Sequence, residues 1–201
     1  YSPDSAFLTG QYLASQNMRY LVTKDREALE NIRRSLSGIS TLFNVTGNQK
    51  RMARTLASYE ETDLNAAEWS EGQISQERLL WKDGADMTSL RSVLNGLIWT
   101  LTHLPESSSE YVAAKGLLTQ ILDSTNSGLH VEDKHLVRYL LSLKNDEQEL
   151  IKRSPLAKDI WYFQGAAPWL TLHAQTLYYQ NMLLVGNYVK SESLINWTRE
   201  Q

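Results

Sequence analysis

Proline most restricts what this chain can build, because it occurs only four times, at Pro3, Pro105, Pro155 and Pro168. Its ring removes a backbone donor and clashes with the preceding helical turn, so each proline marks a place where a helix starts or stops. About a hundred residues between the first two are free of such breakers, and long helices are permitted there.

Apolar residues fill that space at helical spacing. Leu29, Ile32, Leu36, Ile39 and Phe43 recur in steps of three and four, which places them on one stripe, and Met18 and Val22 continue it upstream. The spacing predicts one long helix over residues 5–43, or two nearly collinear helices meeting at residues 23–25. After a turn at Gly47, Met52, Leu56 and Tyr59 restart the period. Asp63 and Ser70 then stand where apolar residues would be needed, so a second helix over residues 48–82 is expected to be weakly buried, or bent near Gly72. Asp83-Gly84-Ala85-Asp86 ends it, with Asp86 placed to cap the next helix.

That third helix has the clearest pattern. Met87, Leu90, Leu94, Leu97, Leu101 and Leu104 alternate in steps of three and four up to Pro105, which predicts a central place in the core. Ser107, Ser108 and Ser109 offer caps for a fourth helix carrying Tyr111, Ala114, Leu118 and Ile121, closed by Asn126-Ser127-Gly128. A fifth follows with Leu136, Leu140, Leu143 and Leu150, interrupted by Glu147 and stopped at Ser154-Pro155. Aromatic residues then crowd the last quarter, with Trp161, Tyr162, Phe163, Trp169, Tyr178, Tyr179, Tyr188 and Trp197 around a break at Gly165-Ala166-Ala167-Pro168. Alternation of period two never lasts more than a few residues, so no strands are expected. The predicted fold is all-α, an antiparallel helical bundle with long helices, either a single domain over 1–201 or two stacked helical modules sharing long helices.

Composition excludes some functions. A net charge of −3 gives no basic footprint for nucleic acid or for an anionic membrane. No apolar run approaches the roughly 18–20 residues that span a bilayer. Cysteine is absent, which removes disulfides, thiolate metal sites and cysteine nucleophiles together. Tyr1 in place of Met leads us to expect either a piece of a longer protein, whose flanking membrane segments could have been removed, or a mature product after processing.

Motifs for catalysis are missing. The nearest histidines, His130 and His135, are five apart and turned about 140° from one another on an ideal helix, which disfavours a shared metal. Glu132 and Asp133 between them read as a solvated helix start, and the Glu132-x-x-His135 arrangement of bundle di-iron sites lacks its second copy. No Gly-x-Ser-x-Gly elbow and no phosphate-binding glycine loop occurs. Glu60-Glu61 and Asp146-Glu147 point to different helix faces and read as solvated surface. Two sequons, at Asn44 and Asn196, would matter only in a eukaryotic secretory protein. No enzyme activity, metal or cofactor is expected.

The stretch Arg19-Tyr-Leu-Val-Thr-Lys-Asp25-Arg-Glu-Ala-Leu-Glu30 resembles the first long helix of the extracytoplasmic helical sensor domains, four-helix-bundle or helical bimodular, of bacterial chemoreceptors and sensor kinases. A basic residue, a few apolar residues, Thr, a turn residue, Asp and an acidic helix recur there; this chain has Lys24 where glycine is usual. The resemblance implies a ligand-sensing input domain on the periplasmic or extracellular side of the inner membrane. It would be tethered by flanking spans and transmit binding as a small helix displacement. Its partner would be a small molecule such as an organic anion, or a periplasmic binding protein, and the domain would pair as a homodimer. Arg19, Arg33 and Arg34 are then the candidates for gripping a carboxylate, although Arg33 and Arg34 would ordinarily be solvated beside their seam. Trp161, Tyr162, Trp169 and Tyr178 would line a pocket at the Pro168 break, or else pack in the core. The alternative from a different class is a helical interaction module (a secreted effector, scaffold or adaptor) carrying an exposed apolar or aromatic stripe for a protein partner.

Overall fold

Helices form where a capping side chain and a run of apolar spacing coincide, and the first two show how the chain uses this. The computed structural model describes residues 4–60, 68–126, 128–141, 147–153 and 168–201. Helix α1 spans Ser5–Thr23 and α2 spans Arg26–Asn44. Between them Lys24 takes the left-handed conformation at φ 55°, and the Asp25 carboxylate accepts from the Glu27 amide at 2.9 Å to start α2. The chain therefore reverses. Asn31 donates to Gln16 at 3.3 Å and Gly38 lies against Thr9, so the two helices form an antiparallel hairpin and are not collinear. Reversal breaks the phase of the stripe: α2 buries Ile32, Leu36, Ile39 and Phe43, but Met18 and Val22 of α1 stand exposed.

The expected helix over residues 48–82 is replaced by strands β1 (Thr55–Ser58), β2 (Ser70–Ile74) and β3 (Glu77–Lys82). They pair antiparallel in the order β1-β3-β2, with Leu56 opposite Trp81 and Gly72 opposite Leu79. A helix here would present Ser70 on its buried face, whereas the hairpin turned at Ser75, φ 56°, lets the Trp81 indole donate to the Glu71 carbonyl at 3.3 Å. Gly72 is required by close approach, because a Cβ there would lie 2.2 Å from the Val45 carbonyl oxygen at the end of α2. Asp63, expected to weaken the same helix, lies outside the described residues, as do Glu61 and Asp146 of the carboxylate pairs.

Helix α3 (Met87–His103) is capped by Asp86, which accepts from the Ser89 amide at 2.8 Å, and it holds the central place that its leucines predict. Leu90, Leu94, Leu97 and Leu101 are buried, and every residue from Ser89 to Ile98 is covered. The remaining helices are α4 (Ser109–Leu122), capped by Ser108 as expected, α5 (Val131–Leu140), α6 (Glu147–Arg153), α7 (Pro168–Val189) and α8 (Glu192–Arg199). The stripe Leu136, Leu140 and Leu150 is buried but divided between α5 and α6, while Leu143 lies outside the described residues. Glu147 opens α6 and accepts from the Tyr139 hydroxyl at 2.7 Å. The fold is mainly helical with one small sheet, and no helix among the described residues is long and apolar enough to cross a membrane.

Two neighbours of α3, helices α1 and α7, run in its own direction. Ser92 donates to the Phe7 carbonyl at 2.7 Å and Asn17 to Thr100 at 2.9 Å, so α1 and α3 are parallel. Their contact centres on Gly10, which lies against Ser92 and Gly96, with the Leu13 side chain packed over Gly96 and Asn17 bonded to Thr100. A Cβ on Gly10 would lie 2.4 Å from the Ser92 backbone, and one on Gly96 would lie 2.7 Å from the Gly10 carbonyl oxygen. At Gly10 backbone meets backbone, and at Gly96 the Gly10 carbonyl and the fully buried Leu13 side chain leave no room for a methyl group. Gly96→Ala is therefore expected to lower the unfolding free energy by about 1–3 kcal/mol or more. Gly116→Ala, on an exposed turn of α4 with nothing within 4 Å, should raise it by about 0.5–1 kcal/mol. Urea unfolding of the two variants beside the parent checks both signs.

Candidate functional site

Opposite the α1 seam, α3 carries a charge into the core. Arg91 is fully buried. Its Nε donates to Asp133 at 2.8 and 3.1 Å, Nη1 to Gln175 Oε1 at 2.7 Å, and Nη2 to Glu132 Oε1 at 2.8 Å, while the Tyr178 ring lies 5.0 Å from its Cζ. Asn95 extends the polar seam by donating to Asn181 at 2.8 Å. Three helices are joined in this way, with Arg91 and Asn95 on α3, Glu132 and Asp133 on the first turn of α5, and Gln175, Tyr178 and Asn181 on α7.

The electrostatics suit a clamp. Burial pushes the Asp133 carboxyl up, and the Arg91 guanidinium opposes that push. Burial alone would raise Glu132 as well, but hydrogen bonds from His130 and the backbone, with the Arg91 charge, hold it below the usual carboxylate range. The hydrogen bond to Glu132 in turn raises His130, whose Nδ1 is 3.5 Å away. One end of the cluster reaches solvent at His130, and the other is sealed. The expectation that Glu132 and Asp133 form a solvated helix start is overturned, because Asp133 is only 1% exposed and faces Arg91 rather than water. No group of three or more His, Asp or Glu able to hold a metal ion occurs among the described residues. With its donors facing two carboxylates and an amide, Arg91 ties helices together and presents no reactive group to a substrate.

The accessible face lies on α1. Its covered side is built from Ala6, Gly10, Leu13, Ala14 and Asn17, and its outer side carries Leu8, Tyr12, Met18 and Val22, all exposed, with Val22 at 83%. These four fall within about 120° of arc at 100° per residue, so they form one stripe along the whole helix. The outer face of α2 is different, with Arg26, Glu27, Glu30, Arg33 and Arg34 exposed to water. Between the two helices runs a groove of about 550 Å³, walled by Leu8 and Tyr12, floored by Thr9, Ser35 and Gly38, and rimmed by Arg34.

The three arginines singled out from the sequence do not converge. Arg19 bonds Asp25 and Glu27 at the hairpin end, which raises its already high pKa, chiefly through the Glu27 hydrogen bond. Arg33 bonds Glu110 across a second groove of about 470 Å³ between α2 and α4. Burial would push Glu110 up, but its own amide, Arg33 and Ser109 bring it below the usual range. Arg34, three-quarters exposed, has Glu30 at 3.5 Å and borders the α1–α2 groove. Tyr178 is fully buried against Arg91, with Tyr179 edge-on at 5.9 Å. Trp161 and Tyr162 lie outside the described residues, as does the side chain of Trp169 in the first turn of α7. Comparison with protein-family models, with curated proteins and with solved structures finds no match to this chain.

Removing Arg91 would strand two carboxylates against a sealed core. Arg91→Ala is expected to cost about 3–5 kcal/mol. Arg34→Ala, at the exposed rim, should cost less than about 1 kcal/mol. Thermal and denaturant unfolding followed by circular dichroism measures the difference.

Proposed function

We propose that this chain is a helical interaction module whose docking face is the outer side of α1. One observation carries the reading: on the side of α1 away from α3, the large apolar residues Leu8, Tyr12, Met18 and Val22 stand exposed, interleaved with Gln11, Ser15 and Arg19. Large exposed apolar residues gathered on one face of a helix mark places where another surface sits. The partner would receive the residues at 8, 12, 18 and 22 as anchors, in the manner of an amphipathic helix laid against a groove or a second helix. The polar outer face of α2 serves as the rim, where charges steer encounter and exclude wrong partners.

A photo-reactive amino acid placed at Tyr12 or Val22 of the intact protein, in its source cells, should yield specific cross-links. The same group at Asn44 on α2 or Lys115 on α4 should yield none. Equal labelling at all four positions would remove α1 as a docking face.

The groove rimmed by Arg34 favours a second reading, the ligand-sensing input domain of a bacterial membrane receptor, in which an organic anion sets its carboxylate on the guanidinium and its apolar part against Leu8 and Tyr12. That reading carries with it an antiparallel bundle of long helices, one or two modules deep, held outside the inner membrane. Binding between α1 and α2 would displace one helix along the other. In a thermal-shift screen against organic acids, amino acids and amines, a ligand at a hundred times its dissociation constant should add about 2.7 kcal/mol, and Arg34→Gln should abolish the gain. A flat screen rejects this second reading and leaves the first in place.

A further inference from the structure

We propose that the partner on the α1 face is a second copy of this chain, laid antiparallel across the first about a twofold axis at Ser15; this rests on the docking reading above. The stripe is its own complement. Counted from Ser15, Leu8 and Val22 lie seven residues before and after, and Tyr12 and Met18 lie three before and after. An antiparallel twofold sets each position level with its mirror, so Leu8 meets Val22 of the second copy on the seam, while Tyr12 lines one flank with its own counterpart and Met18 lines the other. Positions 8, 15 and 22 are one heptad apart and stay on the seam along its length.

The crossing point suits close approach. Ser15 is small, and its hydroxyl already donates to the Tyr12 carbonyl at 2.7 Å, so covering it strands no donor. Arg19, the one charged side chain on the helix, is neutralised within its own chain by Asp25 and Glu27.

Charge decides the direction of pairing. Helix α2 flanks the stripe on one side, with Arg34 level with Leu8 and Tyr12, and with Asp25 and Glu27 level with Arg19. The twofold keeps both copies of α2 on the same side of the seam but reverses one. Arg34 of each copy then comes level with Asp25 and Glu27 of the other, two carboxylates that share the single guanidinium of Arg19 in their own chain, at both ends of the interface. A parallel pair would carry the two copies of α2 to opposite sides of the seam, where Arg34 meets no carboxylate of the other copy.

Because the chain has no cysteine, single cysteines report the geometry without background. Under mild oxidation Ser15→Cys should cross-link to itself, and a mixture of Leu8→Cys and Val22→Cys should form the mixed disulfide. Neither of these two should link to itself, since antiparallel pairing holds each pair about 21 Å apart along the axis, beyond disulfide reach. Sedimentation of the uncrosslinked protein should show a dimer that Tyr12→Lys weakens about 30-fold or more, with an unchanged circular dichroism spectrum. Self-linking of Leu8→Cys would overturn the antiparallel arrangement. A monomer at submillimolar concentration, with no cross-link from Ser15→Cys, would overturn self-pairing. In that last case, cross-links from Tyr12 to another protein keep α1 as a docking face, and none from either route discards both.

Discussion

The contact of α1 with α3 through Gly10 and Gly96 is the constraint on which the arrangement turns. Two parallel helices can approach until backbone meets backbone only if each offers its smallest residues, and α1 does so with Ala6, Gly10 and Ala14. Leu13 also packs inward, fully buried over Gly96, while Leu8, Tyr12, Met18 and Val22 are left for the other side. The exposed stripe of Leu8, Tyr12, Met18 and Val22 is therefore the complement of a tightly packed inner face. A larger side chain in place of Gly10 would have held α1 farther from α3.

On its far side α3 uses the opposite chemistry. Arg91 fixes α5 and α7 by directional bonds, where α1 is fixed by shape. Apolar contacts tolerate a slide of a turn, but a guanidinium held by two carboxylates and an amide does not, so the register of three helices is set at one point. The Asn95–Asn181 pair repeats the specification about one turn along α3.

Much of the helical frame is legible in the order of residues alone. The leucines from 90 to 101, the caps at Asp86 and Ser108 and the stripe of α2 are local signals, and local signals are what spacing can read. The strands stay hidden because Met52, Leu56 and Tyr59 happen to be spaced for a helix, while β1 finds its partner more than twenty residues on, in β3. The hairpin after α1 escapes notice because its left-handed turn falls on Lys24, not on glycine, and Met18 and Val22 look like core residues in consequence. Arg91 gives only a faint sign, an arginine among the leucines of α3. Its partners lie 41, 42 and 84 residues away, and nothing in local spacing brings them together. Among the arginines marked for a ligand, Arg34 borders a groove beside the α1 stripe, while Arg19 and Arg33 stand apart in ion pairs of their own.

The parallel course of α1, α3 and α7 has a consequence for how the molecule is made. The bonds joining these helices close loops of 83 residues between Asn17 and Thr100 and of 84 between Arg91 and Gln175. Contacts so distant in sequence form late, because the entropy of closing each loop is lost before its bonds are gained. On the ribosome the first helix must wait for the third, and the third for the seventh. The nascent chain thus carries α1 bare on its inner side until α3 emerges, and leaves Arg91 without its partners until α7 does. Its yield in a cell will depend on what shelters those surfaces meanwhile.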